Sequence, residues 1–326
     1  MKKIWKEVLL AAVMGLAMPA SLLAMAASME TPPTVIEITT GPPTVPATQP
    51  SESKQSVTVP ILTEGQIVEM ELNEYLTGVV LAEMPVSFEM EAQKAQAVVA
   101  RTYTMRAYRR GGKHEGAAVC TDSNCCQAYI SPAEYMEKGG TQAGVERIRG
   151  AVTATDGQVL TYEGELIEAT YFSCSGGVTE DAAAVWGAAY PYLQSVESPG
   201  EEGAAHYTDT VVFTAAQFEN ALNRDLSGSP ASWFGVTTYT TGGGVASMEI
   251  GGQVYKGTKL RTLLGLRSTA FTVAANSNSV TITTKGFGHR VGMSQYGADA
   301  MAVLGSAYDE ILAHYYRGTT LERLEN

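Results

Sequence analysis

Residues 72–112 read LNEYLTGVVLAEMPVSFEMEAQKAQAVVARTYTMRAYRRGG, and two helices fit this stretch. Asn73 has the side chain of an N-cap, and Leu76, Val79 and Val80 follow it at helical spacing. Pro85 pushes the residue before it out of the helical region, which ends the first helix at or just before Met84. Ser87 is placed to cap the second helix. The first turn of that helix carries Glu89 and Glu91 and its last turn Arg106, Arg109 and Arg110, each where the helix dipole favours the charge. Gly111-Gly112 then ends it. Ala92, Ala95, Val99 and Thr102/Tyr103 give it a face of small side chains for close packing.

Glu83 lies between the two helices, flanked by Ala82, Met84 and Pro85. A carboxylate among apolar neighbours at a helix C-terminus is pushed towards its neutral form, because desolvation and the negative end of the dipole act together. That is the state a general acid needs near neutral pH. The alternative is a surface glutamate that ends a helix.

Outward from this stretch the chain reads as α+β: a mixed core around the two-helix segment, with a smaller inserted α+β lobe. Residues 57–72 alternate apolar and polar around Glu64-Gly65, as a hairpin does. A helix fits residues 132–138, and strands fit 158–162 and 166–171, joined by Glu163-Gly164-Glu165. The lobe spans roughly residues 205–268. Phe213, Phe218 and Leu222 fit a helix, three short strands fit residues 236–239, 246–250 and 253–255, and Leu260, Leu263, Leu264 and Leu266 fit another helix. Strands return over residues 271–284, and a closing helix covers 307–316.

N-terminal to the hairpin, Lys2, Lys3 and Lys6 precede an uncharged run over residues 8–27. Its length just suffices to span a bilayer, and the preceding charge favours a cytoplasmic N-terminus. Ala24-Met25-Ala26 also resembles a cleavage site, which leaves a retained anchor and a cleaved signal both open over residues 1–27. Either exports the remainder. Residues 28–56 form a Pro/Thr-rich linker with no means of packing a core. The domain proper is residues 57–326.

The 326 residues carry a net charge of -12, and 45% of them are hydrophobic, enough for a core. Nucleic acid is excluded as a partner, since phosphate binding needs clustered Lys and Arg.

His114, Cys120, Cys125 and Cys126 are spaced H-x5-C-x4-C-C. Four soft or borderline ligands this close suit a tetrahedral zinc site, although the spacing is not a common finger pattern. An oxidising exterior allows a disulfide instead, with Cys120 or Cys174 as the partner of Cys125 or Cys126. Free thiols are the third reading. In Gly286-Phe287-Gly288-His289-Arg290-Val291-Gly292, His289 is either a second acid/base or a hydrogen-bonded turn histidine.

Taken together, several words of this sequence resemble the stage II sporulation protein D family of cell-wall lytic transglycosylases. They are YLTGVVLAEMP, EAQKAQAVVARTY, QAYI, YFSCSGG, VWG with PYLQSVESP, GFGHRVGMSQYGA and EILAHYYRG, in the family's order and over roughly residues 60–326. The resemblance implies that Glu83 is the catalytic acid/base and that Arg101 lies in the active site. The helix sketch itself carries Arg101 roughly 20 Å along the axis from the turn, and a structural ion pair is its other reading. For a glycan substrate, Ser173, Ser175 and Tyr192 are candidate hydrogen-bonding and stacking groups, with a tight strand-end turn as the alternative. Some clostridial members bind zinc with His and Cys in this region, and His114, Cys120 and Cys126 fit that word; Cys125 stands where a second His can occur. Family members tend to have Gly at the position of Arg290 and Lys at that of Gln194.

The function the resemblance implies is cleavage of peptidoglycan glycan strands during spore engulfment. The expected partners are a peptide-stripping amidase, the stage II sporulation protein P, and a bridging membrane protein, the stage II sporulation protein M. The expected location is the cell membrane, with the catalytic domain in the space between mother cell and forespore. A non-catalytic wall-binding amidase enhancer is the alternative. A zinc hydrolase is the weakest reading, because four protein ligands leave no open position for water.

Overall fold

The structure, a computed structural model, describes residues 56–324. The N-terminal run and most of the linker lie outside the described residues. Strands β1 (Thr58–Thr63) and β2 (Gln66–Glu71) form the expected hairpin. Its turn residues Glu64 and Gly65 have φ of 49° and 76°, the left-handed pair that a two-residue hairpin loop requires. Helices α1 (Leu72–Glu83) and α2 (Met90–Arg109) follow, with the break at Pro85. Their caps differ from expectation. Glu71 caps α1, accepting from Glu74 N at 2.8 Å, while Asn73 lies inside the first turn with its amide committed to Arg101 and Asp156. Helix α2 begins after Glu89 instead of Ser87.

Next come β3 (Val119–Cys120), α3 (Pro132–Glu137), α4 (Gln142–Ala154), β4 (Gln158–Tyr162), β5 (Glu165–Leu166), β6 (Tyr171–Phe172) and α5 (Ala182–Trp186). The two-residue strand β3 runs parallel to β1, which carries the cysteine segment back onto the hairpin. The strand expected over residues 166–171 is two short pieces, β5 and β6. The latter pairs instead with the distant β13 (Met293–Ser294), as Met293 faces Tyr171 and Ser294 faces Phe172.

The lobe comprises β7 (Thr208–Thr214), α6 (Ala215–Leu222), β8 (Phe234–Tyr239), β9 (Val245–Ile250), β10 (Gln253–Lys256), α7 (Gly257–Leu263), β11 (Phe271–Ala275) and β12 (Ser279–Lys285). It extends further than roughly residue 268, because β12 pairs with β7 along its whole length and β11 pairs with β12. These strands close around a second hydrophobic core that includes Phe218, Trp233, Ile250, Leu260, Phe271 and Ile282. After β13 the chain completes the first core with α8 (Gln295–Val303), α9 (Tyr308–Tyr315) and β14 (Thr320–Arg323), the last paired with β4.

Helix α2 runs through that first core. Ala92, Ala95, Ala97, Val98, Val99 and Ala100 are all fully buried, and this explains why the helix is rich in small residues: neighbours approach it from every side. Among the described residues no helix is long and apolar enough to cross a membrane.

Candidate functional site: a cleft at the end of α1

A cleft of about 690 Å³ opens at the C-terminal end of α1. Its walls are the segment after β3, the stretch from Glu168 through Ser173, the end of α5 and the loop at Phe287–His289. Glu83 projects into it from the last position of the helix, half-buried. Its Oε1 accepts hydrogen bonds from Ala128 N at 2.7 Å and Tyr171 OH at 3.2 Å, and its Oε2 from Gln295 Nε2 at 3.4 Å. Burial raises the Glu83 pKa above the ordinary carboxylate range, and these donors hold the rise in check.

The Tyr171 hydroxyl is equally 3.2 Å from Gln127 Oε1, and Gln127 is fixed by donating to Thr104 Oγ1 at 3.0 Å. One phenolic hydrogen cannot serve both acceptors. It can point to Glu83 when that group is ionised. When Glu83 is protonated, the carboxyl hydrogen can go to the phenol oxygen and the phenol can turn to Gln127. The arrangement therefore accommodates both protonation states without a stranded polar group.

Gly78 explains how Ala128 reaches Glu83. A Cβ at Gly78 would lie 2.2 Å from Tyr129 Cε2 and 2.8 Å from Ile130 O, which only glycine avoids. The segment 127–130 thus lies directly on α1, with Tyr129 stacked on Tyr75 at 5.6 Å between ring centroids.

Glu168 is the other carboxylate among the cleft-lining residues, and Arg106 is its ion-pair partner. Among the described residues no cation pairs with Glu83. Trp186, Tyr190, Phe172 and Phe287 give the cleft its aromatic surface.

Of the residues expected from the sequence, Glu83, Ser173 and His289 line this cleft together with Cys125 and Cys126. His289 is not poised as an acid or base near neutral pH. Its Nδ1 accepts from Val291 N at 3.1 Å, and burial, with the nearby Arg261 charge, lowers its pKa to about 4. It stands as a neutral ring between Phe172 and Trp186, at 5.6 and 5.4 Å.

Three expected residues are elsewhere. Arg101 is 1% exposed and donates to Thr155 O at 2.8 Å and Val152 O at 3.1 Å, capping the C-terminus of α4, the negative end of that helix dipole. Ser175 is buried with both its N and Oγ 2.8 Å from Glu201 Oε2. The Tyr192 hydroxyl accepts from Glu168 N at 3.0 Å, and of the neighbouring pair Tyr190 and Tyr192 it is Tyr190 that lines the cleft. Tyr171, Gln127, Trp186 and Gln295 belong to sequence words already quoted, but their side chains gave no local sign of convergence.

Beside the cleft the ligand atoms of His114, Cys120, Cys125 and Cys126 all lie within 4.8 Å of one another. His114 Nε2 is 3.4 Å from Cys126 Sγ and 3.6 Å from Cys125 Sγ, and the two sulfurs are 3.9 Å apart. Metal–ligand bonds of about 2.0–2.3 Å at tetrahedral angles put ligand atoms at such separations. The group can hold a metal ion. Cys174 is not part of it: that thiol is buried against Glu201, and burial together with the carboxylate pushes its pKa up to about 12.

Fold and site thus define an α+β protein with an aromatic cleft of about 690 Å³ that holds a half-buried carboxylate and adjoins a Cys/His cluster. A stage II sporulation protein family profile matches residues 63–162. The chain is 41% identical over 290 residues to stage II sporulation protein D of Bacillus subtilis (strain 168), covering 86% of this chain and 84% of that protein. To the protein of the same name from Bacillus amyloliquefaciens it is 39% identical over 284 residues, 85% and 82% of the two chains. An amidase enhancer of Bacillus subtilis is 31% identical over 299 residues, 76% of this chain and 40% of that protein. The chain belongs to the stage II sporulation protein D family, and is related to the amidase enhancer.

Proposed function

We propose that the protein is a lytic transglycosylase that cleaves peptidoglycan glycan strands between N-acetylmuramic acid and N-acetylglucosamine during spore engulfment. The observation that carries this reading is the state of Glu83: in a cleft, raised in pKa and, among the described residues, without a second free carboxylate lining the cleft. Hydrolysis by the usual route needs two carboxylates, one to protonate the leaving oxygen and one to activate water or attack carbon. Transglycosylation needs one. Protonated Glu83 gives its hydrogen to the departing glycosidic oxygen. The muramic 6-hydroxyl then attacks C1, closes a 1,6-anhydro ring and loses its proton to the same carboxylate. A nucleophile already on the sugar brings a large effective concentration. Between the two transfers Glu83 is ionised, and Ala128 N–H, Tyr171 OH and Gln295 are the donors that stabilise it.

Zinc is the metal we assign to His114, Cys120, Cys125 and Cys126. It would supply a structural cross-link there, since all four tetrahedral positions are taken. The segment so held leads directly into Gln127 and Ala128, which position Tyr171 and Glu83. We further assign the N-terminal run as a membrane anchor with the catalytic domain outside the cytoplasm, and the stage II sporulation proteins P and M as partners. A wall-binding amidase enhancer is the second reading, favoured by the identity to the protein of that name.

Replacing Glu83 by Gln keeps the shape and removes the titrating group. Cleavage of isolated glycan strands should fall at least about a hundredfold, with strand binding retained. Cleavage at the wild-type rate would exclude Glu83 as the acid.

A further inference from the structure

A separate cavity of about 450 Å³ lies at the other end of α1 from Glu83. The helix has 12 residues, which puts about 18 Å between its two ends. Leu72 and Asn73 at the start of α1, Tyr108 and Arg109 at the end of α2, and Arg323 at the end of β14 meet around this space. Ser56 and Val57 also line it, so the linker joins the domain beside the cavity.

The charged groups that line the cavity are the guanidiniums of Arg101, Arg109 and Arg323 and the carboxylates of Glu71 and Asp156. Both carboxylates have uses within the protein. Glu71 accepts from Glu74 N at 2.8 Å and Asp156 from Asn73 Nδ2 at 2.9 Å. Arg109 and Arg323 are exposed, and among the described residues neither is in an ion pair. Arg101 is 1% exposed; its terminal nitrogens are committed, but its Nε has no hydrogen-bond partner. Burial lowers the Arg101 pKa to about 10; the Arg323 charge adds to this and Asp156 opposes it. In a chain with a net charge of -12, positive groups gathered in one cavity with donors to spare are a place for an external anion. The remaining wall is apolar, with Val57, Leu72, Met105, Leu324 and the Tyr108 ring.

We propose that this cavity takes the phosphate headgroup of an anionic membrane lipid. A guanidinium matches a phosphate with two parallel hydrogen bonds, and Arg109 and Arg323 are free to make them. The apolar wall suits the glycerol and first methylenes of a lipid, for which a free phosphate has no counterpart. The chain enters the domain at Ser56, beside the cavity, from the linker that leads back to the N-terminal run. That places this end of the domain towards the membrane, and the proposal rests on the reading of the run as an anchor. Anionic lipid surfaces attract arginines held close to them. With the start of α1 on the membrane, Glu83 and its cleft stand at the far end of the helix, on the side of the wall.

The test titrates the full chain, in a neutral detergent, with dihexanoyl phosphatidylglycerol, dihexanoyl phosphatidylcholine and inorganic phosphate, and follows the melting temperature. Phosphatidylglycerol should raise it saturably, with an affinity about fivefold or more above that of the other two. Arg109→Gln and Arg323→Gln should each weaken phosphatidylglycerol binding about fivefold or more, and Arg323→Lys should keep part of it. Cleavage of soluble strands should be unchanged in all three variants, and a melting temperature without lipid close to that of the parent establishes that they are folded. Equal responses to phosphatidylglycerol and phosphatidylcholine, no response to either, or unaltered phosphatidylglycerol binding in both Gln variants would overturn the proposal. Inorganic phosphate bound as tightly as phosphatidylglycerol, with the same dependence on Arg109 and Arg323, would make this a free-phosphate site and overturn the lipid as its occupant. The N-terminus of the mature protein is read separately: a start near Ala27 would overturn the anchor and the placement of this end on the membrane, while the titration alone decides the headgroup site.

Discussion

At Glu83 the opposing effects have definite signs. The cleft wall favours the neutral acid, while three hydrogen-bond donors favour the carboxylate; burial is the larger influence and the pKa rises. The acid form starts the proposed reaction, so kcat/KM on isolated strands should fall as pH increases through the raised pKa of Glu83. Tyr171→Phe removes a donor to the ionised form without emptying the site. The pKa then rises further, and the alkaline limb should move to higher pH. A limb that stays in place or moves down would mean that Tyr171 does not act on the Glu83 proton. His289 should leave no step near its ordinary pKa, because burial and Arg261 keep the ring neutral throughout that range.

At the scale of elements, the cysteine segment is where sequence and geometry meet most directly. Spacing alone left metal, disulfide and free thiols open, and the pairing of β3 with β1 brings Cys120 to the other three ligands. Protein purified without added metal should carry about one zinc per chain. Cys120→Ser should lower both the metal content and the melting temperature. A disulfide at Cys120 in the intact protein would contradict the assignment.

The same scale shows what sequence can and cannot carry. The helix break before Glu83 and the hairpin turn were legible because Pro85 and Glu64-Gly65 impose local backbone geometry. The caps were not, since Asn73 has a stronger use in tertiary contact with Arg101 and Asp156 than at its own helix end. Helix α4 was missed although Val145, Ile148 and Val152 recur at helical spacing and are buried. The end of the lobe was misplaced because β12 pairs with β7, far away in sequence. Ser175 and Tyr192 have the chemistry of sugar ligands, but burial directs their hydroxyls to Glu201 and Glu168, a matter that only packing decides.

Across the whole molecule, Arg290 joins the parts that carry the two hydrophobic cores. It stands at φ 65°, where a side chain is strained, and is 2% exposed. Its guanidinium donates to Ser175 O and Val178 O on one side and to Gly242 O in the lobe on the other, each at 2.7 Å, and pairs with Glu180 at 3.2 Å. Glu180 in turn accepts from Gly244 N at 3.0 Å. Arg290→Gly would relax the backbone but strand the buried Glu180 carboxylate. Breaking such a pair costs about 3–5 kcal/mol, and relief of the strain returns only a part. Urea unfolding should show a net loss, partly recovered when Glu180→Gln is added; a neutral Arg290→Gly would show that the pair is not a tie between the lobes.

The proposed reaction uses one carboxylate and a nucleophile supplied by the substrate, and the ends of the product record that choice. Peptide-free glycan strands digested with the protein and analysed by mass spectrometry should carry 1,6-anhydromuramic ends, lighter by one water than reducing ends, and Glu83→Gln should give none. Reducing ends would point to a water-using hydrolase, and undigested strands would point to a binder; either result would contradict the single-carboxylate mechanism.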